Sequence, residues 1–116
     1  MQDLKKRTQL FAVNCWYFCR KIPYSREYYA YVNQLIRCSS SVGANYRASQ
    51  RAKSTADFIN KLKIVEEEVD ESAYFLEIFI LILDKNQSEA QELKKEADEL
   101  LAITVASIKS AKRKLK

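Results

Sequence analysis

A chain of 116 residues, 47% hydrophobic and 30% charged, carries enough apolar material for one core, which excludes a fully disordered polymer. Its single Gly and single Pro exclude all-β and doubly wound folds, whose many turns need special backbone angles, and favour long helices with few connections. The net charge of +5 suggests a polyanionic partner, and the longest apolar run, Ile78 to Leu83, is far short of the roughly 20 residues that cross a bilayer, so no membrane association and a cytoplasmic location are expected.

The first helix is expected over about residues 3–21, with Leu4, Thr8, Phe11, Cys15, Phe18 and Ile22 at the four-and-three spacing of a bundle seam, stopped by Pro23. Ser25 caps a second helix over 26–51, whose seam is Tyr28, Val32, Leu35, Ser39, Val42, Tyr46 and Ser49. Its middle, Cys38 to Ala44, is built of small residues that permit close approach of a neighbour. Ser54 with Asp57 resembles a capping box and opens a third helix over 55–84, with Phe58, Leu62, Val65, Val69, Ser72, Leu76, Phe79 and Leu83 in the seam. A second box, Ser88 with Gln91, opens a fourth helix over 89–113, with Leu93, Ala97, Leu100, Thr104, Ser107 and Ala111. The expected architecture is all-α, a single domain over residues 1–116 packed up-down-up-down as a four-helix bundle.

Some apolar residues fall outside these seams: Leu10, Val13, Trp16 and Tyr17 on the first helix, Phe75 and Ile82 on the third, Leu101, Val105 and Ile108 on the fourth. Two readings stand. A homo-oligomer buries this second face, or the residues thicken the core of one bundle.

The residue types needed for catalysis are scarce. Without His the chain lacks the most versatile general base and a common metal ligand, and it cannot build the Glu and His pairs of a di-iron bundle. No enzymatic activity, cofactor or metal is therefore expected. Cys15 and Cys19 stand one turn apart, but a tetrahedral site needs further ligands and only Cys38 remains, so buried free thiols are expected. The acidic run Glu66, Glu67, Glu68, Asp70 and Glu71 flanks its seam; Glu66 and Glu68 are positioned to pair with Arg37 and Arg47 of the second helix.

Charge is unevenly spread, at +4 over residues 1–24, +4 over 25–53, −5 over 54–85 and +2 over 86–116. Arg37, Arg47, Arg51 and Lys53 recur on or just after the second helix, while Lys109, Lys112, Arg113, Lys114 and Lys116 crowd the C-terminal end. Both groups are candidates for neutralising the phosphates of RNA or DNA without reading bases. The tail has a second reading, in which its lysines complement a helix dipole and keep the surface hydrated.

Residues 34–77 resemble a known family. The carrying residues are Gln34-Leu35-Ile36-Arg37, Ser41-Val42-Gly43-Ala44-Asn45-Tyr46, Ala48, Arg51-Ala52, Ser54, Asp57-Phe58-Ile59, Lys61-Leu62, Ile64, Glu66-Glu67-Glu68, Asp70-Glu71-Ser72 and Tyr74-Phe75-Leu76-Glu77. They resemble the four-helix-bundle proteins encoded in intervening sequences of bacterial 23S ribosomal RNA genes. The resemblance implies a left-handed antiparallel bundle that assembles as a ring, a homopentamer, without enzymatic activity. That family is similar to the accessory variability protein of diversity-generating retroelements, a pentameric basic barrel that binds a reverse transcriptase and nucleic acid. Many members carry Asn-Ile-Ala-Glu-Gly where this chain has Asn45-Tyr46-Arg47-Ala48-Ser49, which removes an acid and adds a base. By matching position, Arg37, Ser41, Asn45 and Arg51 become candidate functional residues, with buried hydrogen bonding as the other reading of Ser41 and Asn45. The expected function is an oligomeric, nucleic-acid-associated binding module; the alternative is an assembly module for a protein partner.

Overall fold

The computed structural model describes residues 3–115 and contains four helices, α1 (Leu4–Arg20), α2 (Arg26–Ser49), α3 (Thr55–Ile82) and α4 (Gln87–Arg113). Three begin at side-chain caps that satisfy N–H groups left without an intrahelical acceptor. Asp3 accepts from the N–H groups of Lys5 and Lys6, Ser25 Oγ from that of Tyr28, and Ser54 Oγ from that of Asp57. Asp57 in turn accepts from the Lys53 N–H, at 3.0 Å, so the box closes onto the residue before the cap.

The second expected box does not form. Leu83 leaves α3 with an extended backbone, ψ 144°, and Asn86 then turns the chain in the left-handed region, φ 68°, which Asn tolerates better than most non-glycine residues. This turn lets the Asn86 carbonyl accept from the Ala90 N–H, so α4 starts at Gln87 and not at 89. The Gln87 side-chain amide donates to the Leu83 carbonyl and closes the connection. At the other connection, α2 ends at Ser49 and residues 50–52 continue as a turn, with the Arg51 and Ala52 N–H groups donating to the Ala48 and Ser49 carbonyls.

Each helix backbone lies beside two others in the cyclic order α1, α2, α3, α4, and only side chains meet across the diagonals, so the bundle runs up-down-up-down and measures 50 × 21 × 20 Å. The expected seams meet along its axis. Phe11, Cys15 and Phe18 pack with Leu35 and Val42, with Leu62, Val65, Val69, Leu76 and Phe79, and with Ala97 and Leu100. Burying each large apolar side chain contributes about 1.5–3 kcal/mol. Aromatic rings gather toward one end, where Phe79 lies edge-on to Phe18 at 5.6 Å and to Tyr31 at 6.3 Å between ring centres.

Polar seam positions are satisfied locally. The hydroxyls of Thr8, Ser39, Ser49, Ser72 and Thr104 are buried, and each donates to a carbonyl three or four residues earlier in its own helix. No buried side-chain nitrogen or oxygen among the described residues lacks a partner. At Gly43 α1 approaches α2 closely, since a Cβ there would stand 3.3 Å from Thr8 Oγ1 and 3.4 Å from the Thr8 carbonyl carbon.

The apolar residues outside the seams divide between the two readings. Ile108 joins the core, and Phe75, Leu101 and Val105 are half-buried, whereas Leu10, Val13, Trp16, Tyr17 and Ile82 stay exposed. Among the described residues no helix is long and apolar enough to cross a membrane.

Candidate nucleic-acid interface

The antiparallel order places the C-terminal ends of α2 and α4 beside the N-terminal ends of α1 and α3. Residues far apart in sequence meet there. Lys53 and Lys114 share the rim of a cavity of about 350 Å³, whose walls include Gln50, Thr55, Phe58 and Ala111. Arg47, Arg51, Lys109, Lys112 and Arg113 are exposed on the helices and the turn that build this end. Lys116, counted with this tail, lies outside the described residues.

Residues 44–63 and 104–115 contribute nine basic side chains and one acid, Asp57. That acid is occupied locally, accepting from the Lys61 ammonium at 2.7 Å and from the Lys53 N–H. The Lys61 hydrogen bond, followed by that of Lys53, holds the Asp57 carboxyl below its ordinary pKa and therefore charged. Next along the bundle, residues 64–77 of α3 carry six acids and no base. Charge is thus polarised along the long axis, from a basic end to an acidic middle.

Arg37 does not belong to that end. It lies across the α2–α3 interface, donating to Glu71 at 2.6 Å and to Glu68 at 3.2 Å. Carboxylates on both sides, Glu71 foremost, raise the guanidinium pKa, so the cation is committed to α3. Of the expected pairs, Arg37 with Glu68 forms. Arg47 with Glu68 does not, because Arg47 faces α1, where it borders a hollow of about 220 Å³ with Lys5, Gln9 and Ala44. Glu66 has no ion-pair partner among the described residues.

Ser41 and Asn45 are joined to each other. Asn45 Nδ2 donates to the Ser41 carbonyl at 2.9 Å and to Ser41 Oγ at 2.8 Å, which ties one face of α2 along its own length. Together with the close approach at Gly43, this accounts for the small-residue middle of α2 as a packing device.

Lys5 escaped sequence reasoning, yet it shares the hollow with Arg47. A signal existed: lysine in the first turn of a helix opposes the dipole, so its presence there has no local electrostatic benefit. The dipole explains part of the opposite tail, since Lys112 and Arg113 occupy the last turn of α4. It does not explain Lys53, which stands just ahead of the α3 cap.

The thiols are poorly suited to chemistry. Cys15, Cys19 and Cys38 are free and buried. Desolvation raises the pKa of all three thiols, that of Cys19 to about 12, leaving them protonated and weakly nucleophilic at neutral pH. Among the described residues no group of three or more His, Cys, Asp or Glu is arranged to hold a metal ion.

A bundle of four antiparallel helices with charge polarised along its axis defines the chain as a small all-α protein. The chain belongs to the 23S rRNA-intervening sequence protein family, whose sequence profile matches residues 2–106. Its fold is similar to the 1.70 Å crystal structure of a protein of unknown function from the S23 ribosomal protein family of Bacteroides thetaiotaomicron VPI-5482. That protein is 28% identical, the match covers 92% of this chain and 99% of that one, and the TM-score is 0.84. No curated protein matches the chain.

Proposed function

We propose that the protein is a non-enzymatic, self-associating module that binds RNA or DNA through its basic end. One observation carries the reading: Arg47, Arg51, Lys53, Lys109, Lys112, Arg113 and Lys114, drawn from two distant parts of the chain, gather at one end where the acids Asp57 and Asp3 are already engaged, by Lys61 and by the α1 cap. Such a surface neutralises phosphates and releases counterions, so binding is salt-dependent and largely indifferent to sequence. The absence of His and the raised thiol pKa values support a role without group transfer. The exposed apolar face of α1 supports self-association, since contiguous apolar surface on a small protein is usually covered.

Fluorescence-anisotropy titration with a structured RNA and a duplex DNA, each at two salt concentrations, tests the reading. Binding that weakens steeply with salt is expected. No binding to either at the lower salt concentration overturns it. A second reading, docking of a protein partner, is favoured by the groove of about 600 Å³ between α1 and α4, floored by Phe11, Phe18 and Leu93. Capture of a defined protein that competes with labelling of Tyr17 on the rim supports that alternative.

A further inference from the structure

The cavity of about 350 Å³ between the α2–α3 turn and the end of α4 differs in kind from the other hollows of the surface. None of its described lining residues is acidic, whereas the groove between α1 and α4 carries Glu89, Glu92 and Glu96, and that between α3 and α4 carries Glu66, Glu67 and Asp70. Neither Lys53 nor Lys114 on its rim forms an ion pair among the described residues, and Asp57, the acid nearest in sequence, is held by the Lys61 ammonium at 2.7 Å. Beside these cations stand walls of another chemistry. Phe58 is half-buried and turns part of its ring surface to the cavity, with Ala52 and Ala111 as further apolar lining.

We propose that this cavity binds the phosphorylated end of a nucleic-acid strand, one unpaired terminal nucleotide whose phosphomonoester is held by Lys53 and Lys114 and whose base packs on Phe58. The inference rests on the basic end as the nucleic-acid surface and names the part of the polyanion that the cavity takes. Size, charge and lining each select this ligand. The volume lies at the low end of the roughly 300–1,000 Å³ of ligand pockets, enough for one nucleotide and too small for a duplex. A phosphomonoester carries about −1.5 to −2 at neutral pH, which two ammonium groups match, whereas an internal phosphodiester carries a single charge and leaves one cation uncompensated. An aromatic ring offers any base a face to stack on, so no sequence needs to be read. Arg51, Lys112 and Arg113 adjoin the lining residues in the chain, are exposed, and extend the positive surface for the next phosphates of the same strand. A free mononucleotide brings the same phosphate but cannot use that extension, so the strand end is the tighter ligand.

The test compares, by fluorescence anisotropy at one low salt concentration, an internally labelled single strand with a 5′-phosphate, the same strand with a 3′-phosphate and the same strand with hydroxyls at both ends. Adenosine 5′-monophosphate serves as unlabelled competitor. One phosphorylated strand is expected to bind about tenfold more tightly than the hydroxyl strand, the worth of one charge-assisted contact, and to be displaced only by a large excess of the mononucleotide. K53A and K114A, at exposed positions where helicity is retained, each abolish that preference, while K112A weakens all three strands alike. Equal affinity for phosphorylated and hydroxyl strands, or a preference that survives K53A and K114A, overturns the cavity assignment and leaves the basic end as a nucleic-acid surface. Competition by the mononucleotide as tight as the phosphorylated strand itself overturns the strand end as the ligand. No binding of any strand overturns the functional reading and this inference together.

Discussion

Cys15 is walled in by core side chains, and Cys19 and Cys38 are nearly as enclosed. Burial disfavours their thiolates in the folded state, while an unfolded thiol ionises near pH 8.5. Raised native pKa values therefore contribute stability that is fully present below about pH 8.5 and is lost as pH rises toward the native values, about 12 for Cys19. The urea midpoint is expected to fall between pH 8 and pH 10, and a thiol reagent at pH 8 should label the chain only as it unfolds. Stoichiometric labelling of the native protein at the dead time of mixing would contradict this. The burial of these cysteines was legible in the sequence because three thiols without further ligands make no tetrahedral site and free cysteines favour the interior, although only Cys15 stands in an expected seam. The arginines were harder. Arg37 and Arg47 both recur on α2, yet a rotation of one helix face commits Arg37 to Glu71 and turns Arg47 toward α1, a distinction that composition cannot make.

Among the helices, α1 is the shortest, and its packing against α4 is the loosest of the four neighbouring pairs. Ion pairs span the gap. Arg7 forms a two-pronged bridge to Glu96, both contacts at 2.7 Å, and Lys21 reaches Glu89 at 2.7 Å. The Arg7 side chain is largely buried, so its bridge is shielded from water more than an ordinary surface pair. Arg7→Ala should cost about 1–2 kcal/mol in urea denaturation, and Arg7→Lys should recover less than half, because an ammonium cannot grip both carboxylate oxygens. Full recovery by lysine would mean that charge alone holds α1 in place. Caps sufficed to read two helix starts, at Arg26 and Thr55, whereas the first helix, expected from about residue 3, starts at Leu4 because Asp3 is its cap. The fourth start moved because Asn86 adopts a left-handed turn whose advantage depends on the direction in which Leu83 leaves α3, information that Ser88 and Gln91 do not contain.

Over the whole molecule, the segment charges read from sequence become a spatial gradient only after folding. The up-down order brings residues 44–63 and 104–115 to one end and leaves the acids of α3 in the middle. A polyanion should therefore approach end-on. Replacing Lys53 and Lys114 with alanine is expected to reduce the slope of log affinity against log salt by about 2, whereas Arg37→Ala should leave it unchanged because α3 already holds that cation. An equal loss for Arg37 would place the binding surface along the flank. The bundle was readable from periodicity alone, but the sharing of one rim by Lys53 and Lys114 was not, since only the packing of α4 beside the α2–α3 turn brings them together.

The hydroxyls inside the bundle look inward to their own helices, and across helices they meet only sulfur among the described residues, Ser72 at the Cys38 thiol at 3.2 Å and Ser39 at the Cys15 thiol. Interhelical recognition in this core accordingly speaks a language of shape, almost without polar grammar. Ser49 and Thr104 can drift toward other small side chains while the neighbouring helix scarcely notices. That freedom is a physical route by which chains sharing 28% of their residues keep one backbone path.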